Sequence, residues 1–90
     1  MTVTDNPIDR QFELEEHGYV AFASYRRHGD VVTIPHVEAP PALRGTGAAA
    51  RLMEGIAALA RTQGFKVRPT CTYAVAWFRR HPEVADILAA

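Results

Sequence analysis

"IPHVEAPPALRGTGAAARLM", residues 34–53, changes its period in the middle. Ahead of this stretch apolar residues alternate with polar ones, as in a strand; behind it they recur every three or four positions, as in a helix. Pro40 and Pro41 end the strand, since neither has an N–H to give to a ladder. Leu52, Met53, Ile56, Leu59 and Ala60 then share one helical face, with Arg51, Glu54 and Arg61 on the other. Between the two regimes lies "RGTGAA", residues 44–49. The first N–H groups of a helix have no intrahelical partner and carry the positive end of the macrodipole. Small residues at Gly45, Gly47, Ala48 and Ala49 would let a phosphate approach those amides, and Arg44 would add a charge. The competing reading is a tight turn in which the glycines serve backbone geometry and Arg44 is solvated. The pattern lacks the third glycine and distal acid of the dinucleotide fingerprint, and the lysine of a P-loop.

Working outward, residues 1–10 read as a flexible leader ahead of one domain spanning 1–90. A strand starts at Gln11, where Phe12 and Leu14 alternate with Glu13 and Glu15. "YVAFASYRR" (19–27) and "VVTIPHVEA" (31–39) follow, separated by "HGD" (28–30), and complete a three-stranded antiparallel meander. Strict alternation in the last strand places Val32, Ile34, His36 and Glu38 on one face, with Val31, Thr33 and Val37 on the other. After the long helix, Gly64 reads as its C-cap, "FKVR" (65–68) as a fourth strand, and Ala74, Trp77 and Phe78 as one side of a second helix. Pro82 breaks that helix, and Val84, Ile87 and Leu88 make a last apolar turn. A strand reached across a helical crossover runs parallel to its neighbour. The fold class is therefore α/β (α+β), a mixed sheet with a helix between its last two strands.

The totals exclude several functions. Ten basic and ten acidic residues cancel, so no sequence-independent attraction to nucleic acid is expected. A bound anion would have to be held by a local site. The single cysteine, Cys71, has no partner for an internal disulfide, and no His/Cys cluster has zinc-ligand spacing, so no metal is expected. The polar start has no signal-peptide core and no stretch is long enough to cross a bilayer, which predicts a cytoplasmic protein with no membrane association.

With "KVRPTCTYAVAWFRRHPE" (66–83), the opening stretch resembles the GNAT superfamily of acyl-CoA-dependent N-acetyltransferases, and within it a small single-domain GNAT-like subfamily. The pyrophosphate loop of that family reads Arg/Gln-x-x-Gly-x-Gly/Ala, which Arg44, Gly47 and Ala49 fill. The resemblance covers residues 11–88 and implies acetyl-CoA as co-substrate and transfer of its acetyl group to an amine. It implies that Arg44, Gly45, Thr46, Gly47, Ala48 and Ala49 cradle the pyrophosphate. Val37, Glu38 and Ala39 would pair with the pantetheine arm where their strand splays from the next, with Phe78 as a wall beside it.

Two departures from the family pattern matter. Many members place Asn, Ala and a proton-donating Tyr along the helix that follows "FKVR"; here the matching residues are Cys71, Ala74 and Phe78. A phenyl ring cannot donate a proton. Cys71 at a helix N-terminus is either a nucleophile or acid near the thioester, or a small buried hydrophobe. His36, or less readily Glu38, is either a general base for the amine or a hydrogen-bonded structural group. Tyr73 either carries a hydroxyl into the pocket or simply packs, and packing is the preferred reading. Second, the resemblance places a strand and two helices that build the acceptor side ahead of the meander, and the polar residues before Gln11 do not supply them. An open acceptor side is expected, or one completed by a second subunit or a partner. A domain that binds acyl-CoA without turnover is the rival expectation.

Overall fold

A computed structural model describes residues 2–90. Five strands form one mixed sheet in chain order: β1 (Thr4–Asn6), β2 (Gln11–Glu16), β3 (Tyr19–His28), β4 (Val31–Glu38) and β5 (Lys66–Pro69). The first four run antiparallel to their neighbours and β5 is parallel to β4. Helix α1 (Ala48–Gln63) connects β4 to β5, and α2 (Thr72–Arg80) follows β5. Short 3₁₀ turns occupy Pro41–Leu43 and Pro82–Ile87. No described helix is long and apolar enough to cross a membrane.

The alternation seen in the sequence decides which face is covered. Phe12 and Leu14 on β2 stand opposite Ala23 and Ala21 on β3, and all four are buried. The two alanines leave room for α1, which lays Leu52, Met53 and Ile56 onto this surface with none of them exposed. Burying each such side chain contributes roughly 1.5–3 kcal/mol. Ala57, Ala60, Ala74, Trp77 and Phe78 extend the same core across α1 and α2, while Leu59 is only half-buried. Gly64 caps α1, its N–H bonding the Ala60 carbonyl at 2.8 Å. At the other face of the sheet Gln11, Glu13, Phe22 and Ser24 remain partly exposed, as expected for an antiparallel sheet with one solvated side.

The expected leader is not loose throughout. Thr4–Asn6 pairs with Gln11–Glu13, and Val3 is buried against α1 at Gly55, where a side-chain Cβ would collide with it. The Tyr25 hydroxyl donates to Asp5 Oδ1 at 2.6 Å. Burial first, and the Asp5 hydrogen bond second, push this phenol up to about 12, so the bond persists at physiological pH. "TDN" carries no apolar alternation, which is why the strand could not be read from sequence.

Strict alternation fails in β4. Tyr25 alone lies between Ser24 and Arg26 on β3, whereas Ile34 and Pro35 both lie between their partners His36 and Thr33. Two residues facing one is a bulge, and one extra residue exchanges the faces of everything that follows. Val32 and Ile34 are buried, but beyond the bulge it is Val37 and Ala39 that pack on the core, and His36 and Glu38 are exposed. The expected common face for Val32, Ile34, His36 and Glu38 is thus corrected. A proline within a strand is found at edges and bulges, so Pro35 was the available signal.

Candidate functional site

The loop after β4 is built to leave amides bare. Leu43, 2% exposed, anchors the 3₁₀ turn in the core. Gly45 and Gly47 then take left-handed backbone with φ of 77° and 87°, which other L-residues adopt only with strain. Thr46 braces the turn: its hydroxyl donates to the Leu43 carbonyl at 2.6 Å and accepts from the Ala48 N–H at 3.3 Å. The Ala48 amide is therefore occupied. Gly47 is the N-cap of α1 and offers no side-chain cap. The N–H groups of Gly45, Gly47, Ala49 and Ala50 have no hydrogen-bond partner among the described residues.

Arg51 fixes the direction of one of these donors. Its Nη2 donates to the Thr46 carbonyl at 3.0 Å, while Nε and Nη2 grip both carboxylate oxygens of Glu16 at 2.7 and 2.8 Å. Because a trans peptide points its C=O and N–H in opposite directions, holding the Thr46 carbonyl toward Arg51 turns the Gly47 N–H away from it. The Arg51 guanidinium holds the Glu16 carboxyl below its usual value, chiefly through the hydrogen bond, so the pair is charged at neutral pH. Arg44 lies across the turn, its Nε donating to the Ala39 carbonyl at 3.2 Å.

These residues enclose a shallow depression of about 260 Å³ lined by Ala39, Leu43, Arg44, Gly45, Gly47, Ala48, Ala49, Ala50 and Tyr73. Tyr73 is the member for which the sequence favoured packing over a hydroxyl in the pocket. It stands in the first turn of α2, half-buried, and desolvation raises its phenol above the usual value against a smaller opposing effect of Arg80. It is a neutral O–H at physiological pH. No periodicity distinguishes it from a packing tyrosine; only the fold brings α2 alongside the loop.

Beside the depression the sheet opens. The β4–β5 ladder ends at Ile34 and Pro69, and the Ile34 carbonyl accepts from both Thr70 and Cys71 at 3.0 and 3.3 Å. No strand pairs with β4 on that side over residues 35–38 among the described residues. Val37 and Glu38 thus sit along the splay and Ala39 leads from it into the loop. Cys71 is the N-cap of α2, in extended backbone, and its Sγ accepts from the Ala74 N–H at 3.3 Å. The thiol is half-buried, between the two alternatives the sequence left open. His36 Nε2 lies 3.1 Å from Glu38 Oε1, with both side chains over half exposed on the face away from the helices. Phe78 is not at the depression: it is 5% exposed, edge-on to Trp77 within the core. Of the residues expected on the cofactor side, Ala39, Arg44, Gly45, Gly47, Ala48 and Ala49 line the depression and Thr46 braces it. Val37 and Glu38 lie on the adjoining edge of β4, and Phe78 is in the core. His36 and Cys71 have no hydrogen bond between them among the described residues.

Comparison with known proteins places this geometry. No curated protein matches the sequence. A GCN5-like protein from Staphylococcus aureus, solved in solution by NMR and proposed to be an N-acetyltransferase, superposes with a TM-score of 0.73 over 98% of this chain and 87% of its own, at 19% identity. At that identity the likeness establishes a common fold. The family model for the GCN5-related N-acetyl-transferase matches residues 11–87, which contain the sheet from β2 onward, the bare-amide loop and both helices, and the chain belongs to that family.

Proposed function

We propose that this protein binds acetyl-CoA and transfers its acetyl group to an amine. One observation carries the reading: four N–H groups without partners among the described residues, at Gly45, Gly47, Ala49 and Ala50, lie at the N-terminus of α1 in a chain of this family. Backbone amides there suit a pyrophosphate, since the macrodipole adds to their hydrogen bonds. Arg44 supplies a positive charge beside these amides. Thr46 shapes the cradle rather than binding through its hydroxyl, which is already committed. The unpaired edge of β4 at Val37, Glu38 and Ala39 would bond the amides of the pantetheine arm as an added strand does.

The chemistry then falls near the start of α2. Attack of an amine on the thioester carbonyl forms a C–N bond and breaks the C–S bond, and the departing sulfur takes a proton. Phe78 cannot give one, whereas Tyr73, whose hydroxyl is neutral, lines the same depression as the loop. Cys71 either accepts the acetyl group transiently or serves as the cap of α2. His36, oriented by Glu38, lies on the solvated side of the splayed strand and would take the proton from the amine. That side is open, so the acceptor approaches freely or meets a surface completed by a second subunit.

A second reading, acyl-CoA binding without turnover, is favoured by the burial of Phe78 where other members carry a proton-donating tyrosine. Amide NMR of the labelled protein titrated with acetyl-CoA tests the common part. Saturable shifts at residues 37–39, 44–50 and 71 are expected; their absence at millimolar ligand would sink both readings. Acetyl transfer to an amine panel, lost in Tyr73→Phe at unchanged acetyl-CoA affinity, separates the enzyme from the binder.

A further inference from the structure

A depression of about 450 Å³ lies at the other end of the sheet from the bare-amide loop and is lined by Pro7, Arg10, Tyr25, Arg26, Arg27 and His28. β4 runs from the His28 end of β3 toward Ala39, so its length separates the two hollows. Arg51 is paired with Glu16 and Arg61 with Asp86, whereas Arg44, Lys66 and Arg68 donate to backbone carbonyls. Arg10, Arg26 and Arg27 have no carboxylate partner among the described residues; Arg27 Nε donates only to the Gly29 carbonyl, and its guanidinium lies 5.4 Å from the Phe65 ring centre. Arg10 is held at a φ of 54°, a left-handed conformation uncommon for a side-chain-bearing residue, with its carbonyl tied to the Tyr25 N–H at 2.9 Å. Asp5, the carboxylate facing this tyrosine, accepts from its hydroxyl and offsets one of the three positive charges. Such self-repulsion costs stability unless an anion relieves it.

We propose that this hollow is a second anion site, for a small phosphate-bearing molecule, independent of the acetyl-CoA loop. Guanidinium groups recognise planar pairs of oxygens through two parallel bonds, and three of them exceed what one carboxylate can satisfy. A phosphate monoester or diphosphate offers more oxygens and roughly two charges. Arg10 belongs to the β1–β2 turn, and Arg26 and Arg27 flank the end of β3 on its two faces, so binding would also tie the N-terminal strand to the sheet.

Inorganic pyrophosphate is the probe, since it should occupy either site. Amide NMR at low salt on the Ala49→Glu protein, whose loop repels anions, should still show saturable shifts at residues 10 and 25–28. Arg10→Gln with Arg26→Gln should weaken those shifts about tenfold or more, as expected for losing charged hydrogen bonds, and leave acetyl-CoA affinity unchanged. Three results would overturn the proposal: no saturation at residues 10 and 25–28, equal shifts in the double variant, or shifts spread over every surface arginine, which would mean an adventitious ion only. Failure of the loop to bind acetyl-CoA is read separately, in the unsubstituted protein at residues 44–50.

Discussion

The two helices begin in opposite ways. α2 starts at Cys71 in extended backbone, and its own side chain closes one of the open N–H groups. α1 starts at Gly47 in left-handed backbone, with no side-chain cap and two glycines in the preceding turn. An N-cap of Ser, Thr, Asp or Asn at α1 would contribute about 1 kcal/mol, and a small chain has little stability to forgo. Thr46, one residue early, turns its hydroxyl toward Leu43 and Ala48 and so leaves the amides of Ala49 and Ala50 free. The difference is informative because both starts lie in the same small molecule. One is closed as folding alone requires, and the other is held open and braced from behind by Arg51.

The sharpest way to break this contrast is to fill the open start with a charge. Ala49→Glu places an acid in the first turn of α1, where the macrodipole favours it by about 0.3–1 kcal/mol. The same carboxylate would repel a pyrophosphate. Acetyl-CoA affinity should fall on the order of 100-fold, about 2.7 kcal/mol, while the melting temperature holds or rises. Gly47→Glu is a poorer test, since φ there is 87° and the new Cβ would crowd Arg51 Nη1 at 2.9 Å. Calorimetric titration beside a thermal melt gives both readouts; unchanged affinity would remove the anion assignment.

Removing the brace should do less. Arg51→Met frees the Thr46 carbonyl and lets the Thr46–Gly47 peptide rotate, misdirecting one donor among four. A loss of about tenfold in acetyl-CoA affinity is expected, in line with one hydrogen bond to a charged group. Glu16→Gln weakens the same brace and has a pH signature. The Glu16 carboxyl is lowered in the folded protein, so the brace contributes fully above the ordinary carboxylate value of 4.5 and is lost as pH falls through the lower folded value. The stability gap between the unsubstituted protein and Glu16→Gln should therefore be constant at neutral pH and close only in acid. A gap that persisted in acid would assign the effect to packing.

How much of this was legible beforehand follows the same physics. The helix over Leu52, Met53 and Ile56 and the strands over Phe12, Leu14, Ala21 and Ala23 announce themselves, because burial on one face imposes a period on several residues at once. The loop was legible because bare amides demand small residues in a row. The bulge at Ile34 and Pro35 moves faces without changing composition, so His36 and Glu38 were assigned to the wrong side of their strand. Tyr73 and the three arginines of the second hollow come together only through tertiary folding, which leaves no local pattern.

The smallest expected effect lies at the closed start. Cys71→Ala removes the acceptor for the Ala74 N–H and should destabilise the protein by about 1 kcal/mol or less, because sulfur is a weak acceptor. Cys71→Ser restores an oxygen acceptor at an N-cap, so stability should return to that of the unsubstituted protein or exceed it. The serine lacks the thiolate, however, and cannot replace a sulfur nucleophile at neutral pH. Thermal melts and acetyl-transfer rates on the pair then divide the two roles of this residue. Activity retained in Cys71→Ser with stability lost only in Cys71→Ala means that α2 merely uses a thiol as its cap. Activity lost in both, at intact acetyl-CoA affinity, means that the closed start carries chemistry after all, and that capping and reactivity share one sulfur.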